Sequence, residues 1–268
     1  MEYTIQEQIN KFKKETGIEL YIKDSRPYYG ASLYLNKKNI TFLPDNLIID
    51  GWLDVSDTPL TSLPNNLRVN KSLNVQNTNI TSLPNNLVVG DDLYLCNTPI
   101  ASLPNSITIG GSLHLSNTKI TSLPNDLVVG YGIDLSGLII DHLPNNLAVH
   151  GSLKLSKTVI KSMPNSITVG GSLYLDNATI DKLPNSLIVG DYLDIRNTNI
   201  TSLPHDVVIG KNIFLENTPI ENYDMYEITL RRNNVLFKKI LCAMFKNRKE
   251  EFNILIKIYK QLILNNRT

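Results

Sequence analysis

Residues 83–102 read LPNNLVVGDDLYLCNTPIAS, and close variants of this unit recur every 20 residues from Leu43 to Ile220. A proline stands second in every unit, and no insertion or deletion disturbs the spacing; these prolines are at positions 44, 64, 84, 104, 124, 144, 164, 184 and 204. A strict period of this length predicts a solenoid, in which each unit forms one coil and successive coils stack. This stretch therefore decides the fold of most of the chain.

One unit predicts two short strands on different sides of the coil. Leu87 and Val89 alternate with other residues, and so do Leu93 and Leu95. This period of two is typical of strands that have one buried face. Residues 90–92 form the corner between them, and the proline and asparagines that open each unit form a turn. Stacked coils would then give a mainly β solenoid with two parallel β-sheets.

The core of the unit, L-x-L-x-x-T-x-I-x-x-L-P, is similar to the leucine-rich repeat pattern, with Thr98 where that family commonly has asparagine. Residues 33–220 resemble the short leucine-rich repeats of bacteria, including those of secreted effectors. They are more similar still to 20-residue arrays in phage and mobile-element proteins. The resemblance implies a right-handed coil and ligand binding on the sheet formed by strands of the 93–95 type. Because the threonine hydroxyl is shorter than the family's asparagine, we expect a tighter coil.

The chain divides into three parts by pattern. Residues 1–32 predict an amino-terminal cap: a helix that begins with a capping box and ends near Gly17, followed by a strand at 18–22 that residues 25–27 would break. Residues 33–220 predict the solenoid, with nine full 20-residue units after a leading half-unit. Residues 221–268, where the period stops, predict a helical carboxy-terminal cap.

Charge and cysteine content favour some partner classes over others. Residues 41–220 carry 9 basic and 15 acidic residues, a balance of −6, whereas residues 221–268 carry 10 and 5, a balance of +5. An acidic solenoid is a poor binder of nucleic acid. The chain has 2 cysteines and no apolar run of membrane-spanning length, so we expect a cytoplasmic protein, in the host cytoplasm if a phage encodes it.

The register also predicts which side chains of the 93–95 type strands point outward, and several of them are aromatic. Tyrosine and tryptophan are typical anchors of protein interfaces, although tyrosine also suits a half-exposed strand. We predict a protein-binding face made of Trp52, Tyr94, His114, Asp134, Lys154, Tyr174, Tyr192, Asp194, Arg196 and Phe214.

Two other surfaces are open to two interpretations each. The unusually apolar residues 137–140 indicate either drift in packing or an exposed apolar spot near Ile139 and Val159 that a partner covers. The outward row of the opposite sheet is apolar apart from Arg68. It indicates a second contact or homodimer face, or only strand propensity.

No catalytic, metal or cofactor pattern is present. The four histidines occupy four different positions of the repeat, and Cys96 has only His114, one coil away, as a possible partner. We therefore expect a non-enzymatic protein-binding solenoid that blocks a host protein, such as a defence or CRISPR component. One alternative is nucleic-acid binding through the basic tail, by Lys238, Lys239, Lys246, Arg248 and Lys249. The other is a secreted effector or a structural scaffold.

Overall fold

A computed structural model describes residues 3–125, 127–145 and 147–220 of the chain. Within these ranges the chain forms a parallel β-solenoid of 20-residue coils, as the repeat predicts. The predicted helical cap at 221–268, with the five basic residues that the nucleic-acid alternative names, lies outside the described residues.

Helix α1, Ile5–Thr16, begins at the predicted capping box. Thr4 Oγ1 accepts a hydrogen bond from the backbone N–H of Glu7 at 3.3 Å, and the Glu7 carboxylate accepts one from the Thr4 N–H at 2.7 Å. The helix ends at Gly17, whose φ of 74° is the left-handed conformation common at helix ends. Its apolar face is buried, so the helix packs against the hydrophobic core of the solenoid.

The segment after the helix differs from the prediction. Strand β1 is Tyr21–Lys23 and strand β2 is Arg26–Tyr29, and the two pair antiparallel. The first strand does end before Ser25, but Arg26 and Pro27 begin a second strand where the sequence predicted only a break, because Asp24 and Ser25 both adopt positive φ, at 49° and 58°, and form the tight turn of a hairpin. Strand β2 also pairs in parallel with the first coil, so the leading unit has a back strand and is more than half a coil.

Ten two-residue strands form one parallel sheet, which we call the front sheet. Each of the eight inner strands pairs with the strand 20 residues before it and the strand 20 residues after it, and the two edge strands have one such neighbour each. The strands are β3 Leu33–Tyr34, β5 Leu53–Asp54, β7 Leu73–Asn74, β9 Leu93–Tyr94, β11 Leu113–His114, β13 Ile133–Asp134, β16 Leu153–Lys154, β19 Leu173–Tyr174, β21 Leu193–Asp194 and β23 Ile213–Phe214.

The opposite side of the coil carries the back sheet, which is split in two. Its first part joins β1 and β2 to β4 Ile48–Ile49, β6 Arg68–Val69, β8 Val88–Val89, β10 Thr108–Ile109 and β12 Val128–Val129. Its second part contains β15 Leu147–Val149, β18 Ile167–Val169, β20 Ile188–Val189 and β22 Val208–Ile209. A further parallel pair, β14 Ile139–Ile140 and β17 Val159–Ile160, lies on the third side of the coil.

The repeated threonine forms a bond within its own coil. Thr98 Oγ1 donates to the backbone carbonyl of Leu95 at 2.7 Å, and both residues are buried. Equivalent bonds are made by Thr58, Thr78, Thr118, Thr158, Thr198 and Thr218. The hydroxyl therefore reaches only the carbonyl three residues earlier, which closes the corner after the front strand without linking one coil to the next.

An asparagine ladder on the outside of the same corner does link the coils. The side-chain amide of Asn97 donates to Asn77 Oδ1 at 2.8 Å, and that of Asn117 donates to Asn97 Oδ1 at 2.9 Å. The ladder continues to Asp57 and reappears between Asn217 and Asn197. These residues have φ near 60°, a conformation that asparagine tolerates better than most residues.

Residues 121–160, which we call the seam, depart from this regularity. The back sheet splits here, the third side gains β14 and β17, and Gly137 and Lys157 occupy the ladder position. Leu138 takes the place of the threonine and is buried, with 3% of its surface exposed. A leucine cannot make the hydroxyl bond that Thr98 and its equivalents make, but loss of this bond alone does not account for the extended strands, because β17 follows Thr158, which makes it.

Candidate protein-binding face

The front sheet brings together the residues that the register singles out. Tyr94 pairs with Asn74 on one side and His114 on the other, and the same in-register pairing continues from Tyr34 to Phe214. Trp52 lies one position before β5, and its indole is 47% exposed. The ten predicted residues thus lie on or beside one continuous sheet.

Tyr94 and His114 form a stacked aromatic contact on this face. Their ring centroids are 4.6 Å apart and the ring planes differ by 9°, so the rings are stacked along the sheet. The Tyr94 hydroxyl donates to Asp92 Oδ2 at 3.0 Å, and Asp92 Oδ1 accepts the backbone N–H of Ser112 at 2.7 Å. Two adjacent coils therefore hold the tyrosine ring in place.

Partial burial shifts the pKa values of both His114 and Tyr94. It lowers the pKa of His114, while the carboxylates of Asp134 and Asp92 act in the opposite direction. Burial, followed by the hydrogen bond to Asp92, raises the pKa of the Tyr94 hydroxyl. The net direction of both shifts favours a neutral aromatic pair near neutral pH, because burial outweighs the carboxylates at His114.

The thiol of Cys96 is not activated by its surroundings. Burial raises its pKa, and a backbone hydrogen bond from Ser116 only partly opposes this effect. A nucleophilic cysteine needs a lowered pKa, so this environment favours the inert thiol. The residue is consistent with a packing role on the sheet rather than a catalytic one.

The carboxy-terminal end of the face is organised around Asp194. The sequence predicts an outward carboxylate, but only 3% of this residue is exposed. Arg196 covers it, because its Nε donates to Oδ1 at 2.9 Å and its Nη2 to Oδ2 at 2.6 Å. Such bidentate pairs are strong and geometrically specific. A partner would therefore meet the arginine here and not the carboxylate.

The aromatic rings at this end already have cations above them. The Arg196 guanidinium lies 5.4 Å from the centre of the Phe214 ring, and Lys211 Nζ lies 5.1 Å from that of Tyr192. Both distances are within the range of cation–π attraction. Lys211 also pairs with Asp191 at 2.7 Å, which raises the pKa of its ammonium group.

The middle of the face contains two weaker polar contacts. Lys154 Nζ lies 3.7 Å from Asp134 Oδ2, and both side chains remain accessible. Asp176, beside the half-buried Tyr174, accepts a hydrogen bond from Ser156 Oγ at 2.5 Å. The sequence prediction omitted Asp92, Asp176 and Lys211, although the same 20-residue register identifies them as neighbours of predicted residues.

The third side of the coil has a separate apolar feature. Ile139 and Val159 pair in parallel and are 58% and 44% exposed, as one of the two interpretations of the sequence expects. Beside them runs an open groove of about 540 Å³, lined by Ile160, Met163 and Ile180 together with lysine, aspartate and asparagine side chains. Whether a partner covers this spot stays a prediction.

The outward row of the back sheet is not uniform. Val128 is 65% exposed, whereas Ile188 and Val208 are 4% and 3% exposed. The apolar row that the sequence offers as a second contact or homodimer face is therefore accessible near the seam and buried near the end of the described solenoid.

The described ranges contain neither a membrane-spanning helix nor a cluster of metal-binding side chains. No helix there is long and apolar enough to cross a bilayer. In residues 3–125, 127–145 and 147–220, no group of three or more histidine, cysteine, aspartate or glutamate side chains has an arrangement that could hold a metal ion.

Comparisons with known proteins give matches among solved structures. No protein-family model and no curated protein sequence matches the chain. The chain is similar to YopM, a leucine-rich effector protein from Yersinia pestis, at 18% sequence identity and a TM-score of 0.46, over 74% of this chain and 69% of that one. It is also similar to YopM from Yersinia enterocolitica, at 24% identity and a TM-score of 0.35, over 69% of this chain and 52% of that one. At these values the fold assignment rests on the strand pairing described above.

Proposed function

We propose that the protein is a non-enzymatic solenoid that binds another protein through the front sheet. The observation that carries the proposal is the row of aromatic and charged side chains displayed in register on ten parallel strands. A regular coil needs only its inward residues to fold, so the outward residues are free to provide specificity. Exposed or half-exposed tryptophan and tyrosine are the residues that most often anchor protein interfaces.

We further propose that the bound protein is a host factor that the solenoid blocks by occupying its surface. The resemblance of the units to arrays in phage and mobile-element proteins supports an origin of that kind, with a defence or CRISPR component as the target and the host cytoplasm as the location. The raised pKa of the Cys96 thiol supports a binding role over a nucleophilic one.

A triple substitution tests the face. Tyr94, His114 and Tyr174 are changed together to alanine, and the tagged protein is used to capture partners from a host lysate. We expect the captured protein to be lost, because the anchors are removed while the buried core is untouched. A matched variant that changes Arg68, Thr108 and Val128 of the back sheet to alanine should capture it normally. Equal capture by both variants, with circular dichroism unchanged, would refute the front sheet as the binding face.

A second candidate function is nucleic-acid binding by the carboxy-terminal tail. Residues 221–268 carry a balance of +5 next to a solenoid of −6, and basic tails of this kind bind phosphate backbones. Replacement of Lys238, Lys239, Lys246, Arg248 and Lys249 by glutamine should then abolish a salt-sensitive mobility shift of RNA or DNA. Absence of any shift by the unchanged protein at low salt would exclude this function.

A further inference from the structure

We propose that the amino-terminal half of the front sheet is the receiving site for an arginine side chain of the partner. We define this half by β3, β5, β7, β9 and β11, and the carboxy-terminal half by β13, β16, β19, β21 and β23. The arginine would lie over Asn74, between Asp54 and the ring of Tyr94. The inference rests on the proposed function and specifies the chemistry that this face would recognise.

Composition separates the two halves. The outward positions of the amino-terminal half are residues 32, 34 and 36 and their equivalents in the next four coils. They contain two carboxylates, Asp54 and Asp92, three aromatic residues, Tyr34, Trp52 and Tyr94, and no lysine or arginine. Anionic and π-electron groups are thus concentrated on a surface without a cation of its own.

The carboxy-terminal half supplies its own cations. Arg196 occupies Asp194 and lies over Phe214, and Lys154 lies beside Asp134. In contrast, no described lysine or arginine forms an ion pair with Asp54 or Asp92, and none lies over the rings of Trp52 or Tyr94. A carboxylate and an aromatic ring thus share an arginine of the same chain in the carboxy-terminal half, whereas the equivalent groups of the amino-terminal half have no cation beside them among the described residues.

The open positions are adjacent. His114 covers one face of the Tyr94 ring, so the other face looks toward β7, where Asn74 is short and half-exposed. Beyond Asn74 lies Asp54, whose Oδ1 accepts two bonds from Ser56, while Oδ2 accepts none from the described residues. Since neighbouring strands are about 4.8 Å apart, Asp54 and Tyr94 are separated by roughly 10 Å at the backbone.

This spacing suits a planar cation. A guanidinium plane needs about 3.5–4 Å on either side, so one can lie between the tyrosine ring and the aspartate. It can stack on the ring and donate to the free carboxylate oxygen at the same time, which a compact ammonium group does less well. Asp92, held beside the ring by the Tyr94 hydroxyl, adds negative potential. The face therefore favours arginine over lysine and disfavours anionic partners.

A peptide titration tests the site without the unidentified partner. The full-length protein is titrated with a blocked Gly-Arg-Gly peptide, and the side-chain resonances of Trp52 and His114 are followed by NMR. A Gly-citrulline-Gly peptide of the same shape but no charge serves as the ligand control. We expect saturable shifts with the arginine peptide, and at least 10-fold weaker binding of the citrulline peptide.

Paired variants locate the effect. Asp54→Asn with Asp92→Asn should weaken binding of the arginine peptide by about 10-fold, because both carboxylates are neutralised with little change of shape. Asp176→Asn with Glu216→Gln removes the same charge from the carboxy-terminal half and should leave binding unchanged. Equal loss in both variants would indicate only a general charge effect and overturn the proposal, as would equal binding of the two peptides.

The outcomes also separate this proposal from the function on which it rests. If the arginine peptide does not bind while the triple alanine variant loses the captured partner, the arginine site is wrong and the binding face stands. If the triple variant keeps its partner, the proposed function is wrong, whatever the peptide does.

Discussion

The two halves of the front sheet have the same backbone arrangement, but within the described ranges only the carboxy-terminal half has lysine and arginine side chains that pair with its carboxylates and rings. In the carboxy-terminal half, Arg196 and Lys211 lie over aromatic rings and pair with Asp194 and Asp191. In the amino-terminal half, Asp54, Asp92 and Tyr94 lack a cation among the described residues. This difference shows that the repeat determines only where each outward side chain lies. The identity of the neighbouring side chains decides whether a carboxylate or ring is paired within the chain or is available to a partner.

The seam lies where the carboxy-terminal half begins, since it contains β13 and β16. Up to β12 the back sheet is continuous, and the asparagine ladder runs unbroken from Asp57 to Asn117. Within the seam the back sheet starts again at β15, and the ladder bond reappears only between Asn197 and Asn217. The change in surface chemistry therefore coincides with a change in how the coils are linked.

The largest expected effect is on stability, at Arg196. Its replacement by alanine leaves the buried Asp194 carboxylate without its bidentate partner, and an unpaired buried charge is costly. We expect the melting temperature to fall by at least a few degrees. The matched change Asp92→Asn, at a half-exposed carboxylate of the other half, should leave it almost unchanged.

The double variant Asp194→Asn with Arg196→Ala is the control, since it removes the charge together with its partner. It should recover most of the lost stability. If Arg196→Ala melts at the same temperature as the unchanged protein, the carboxy-terminal half is not held by this pair and the comparison of the halves fails.

A smaller effect is expected at the asparagine ladder. Asn97→Ala loses ladder bonds on both sides and places alanine at a φ of 59°, so we expect a cost of about 1–2 kcal/mol in the free energy of unfolding. Asn177→Ala, at the ladder position of a later coil with a φ of 58°, pays the same conformational cost, and the Asn177 amide donates to the neighbouring Asp176 rather than along the ladder. Chemical denaturation of both variants measures the difference, and equal losses would show that the ladder adds nothing.

The smallest effect is a pH dependence at His114. Burial lowers its pKa in the folded state, so the fold favours the neutral ring and loses stability as the pH falls below the unfolded value of about 6.5. Asp92 and Asp134 reduce this loss, whereas Lys154 and the stacked Tyr94 do not. Between pH 7.5 and 5.5, the melting temperature should fall slightly more than in a His114→Gln variant. Parallel profiles would contradict the assignment.

The repeat predicted most of the fold because every coil obeys the same constraint. Inward leucines and valines, the two strands of each coil and the in-register row from Tyr34 to Phe214 all follow from a 20-residue spacing. The capping box at Thr4 and the helix end at Gly17 were predicted from local sequence alone, because both depend on residues within one turn of the helix end. Features that every coil repeats were predicted from the 20-residue spacing.

Features that depend on side-chain conformation or on departures from the repeat were not predicted. The burial of Asp194 requires knowledge that Arg196 folds back over it, and a register alone gives no rotamer. Strand β2 was missed because proline suggests a break, whereas the positive φ of Asp24 and Ser25 turns the chain into a hairpin. The split of the back sheet at the seam was signalled only by Gly137 and Leu138, whose effects appear when adjacent coils are stacked.

The close approach of glycines in successive coils sets how this chain can change in length. A side-chain carbon at Gly110 would lie 1.9 Å from the carbonyl oxygen of Gly90, and one at Gly190 would lie 1.8 Å from that of Gly170. Although Asp50, Asn70 and His150 occupy the same column in other coils, a single inserted residue between Gly90 and Gly130 would carry a side chain into this part of it, where the carbonyl of the preceding coil leaves no room. The length of the solenoid can therefore change by whole coils. Duplication or deletion of 20-residue units keeps every residue in its register, whereas shorter insertions do not.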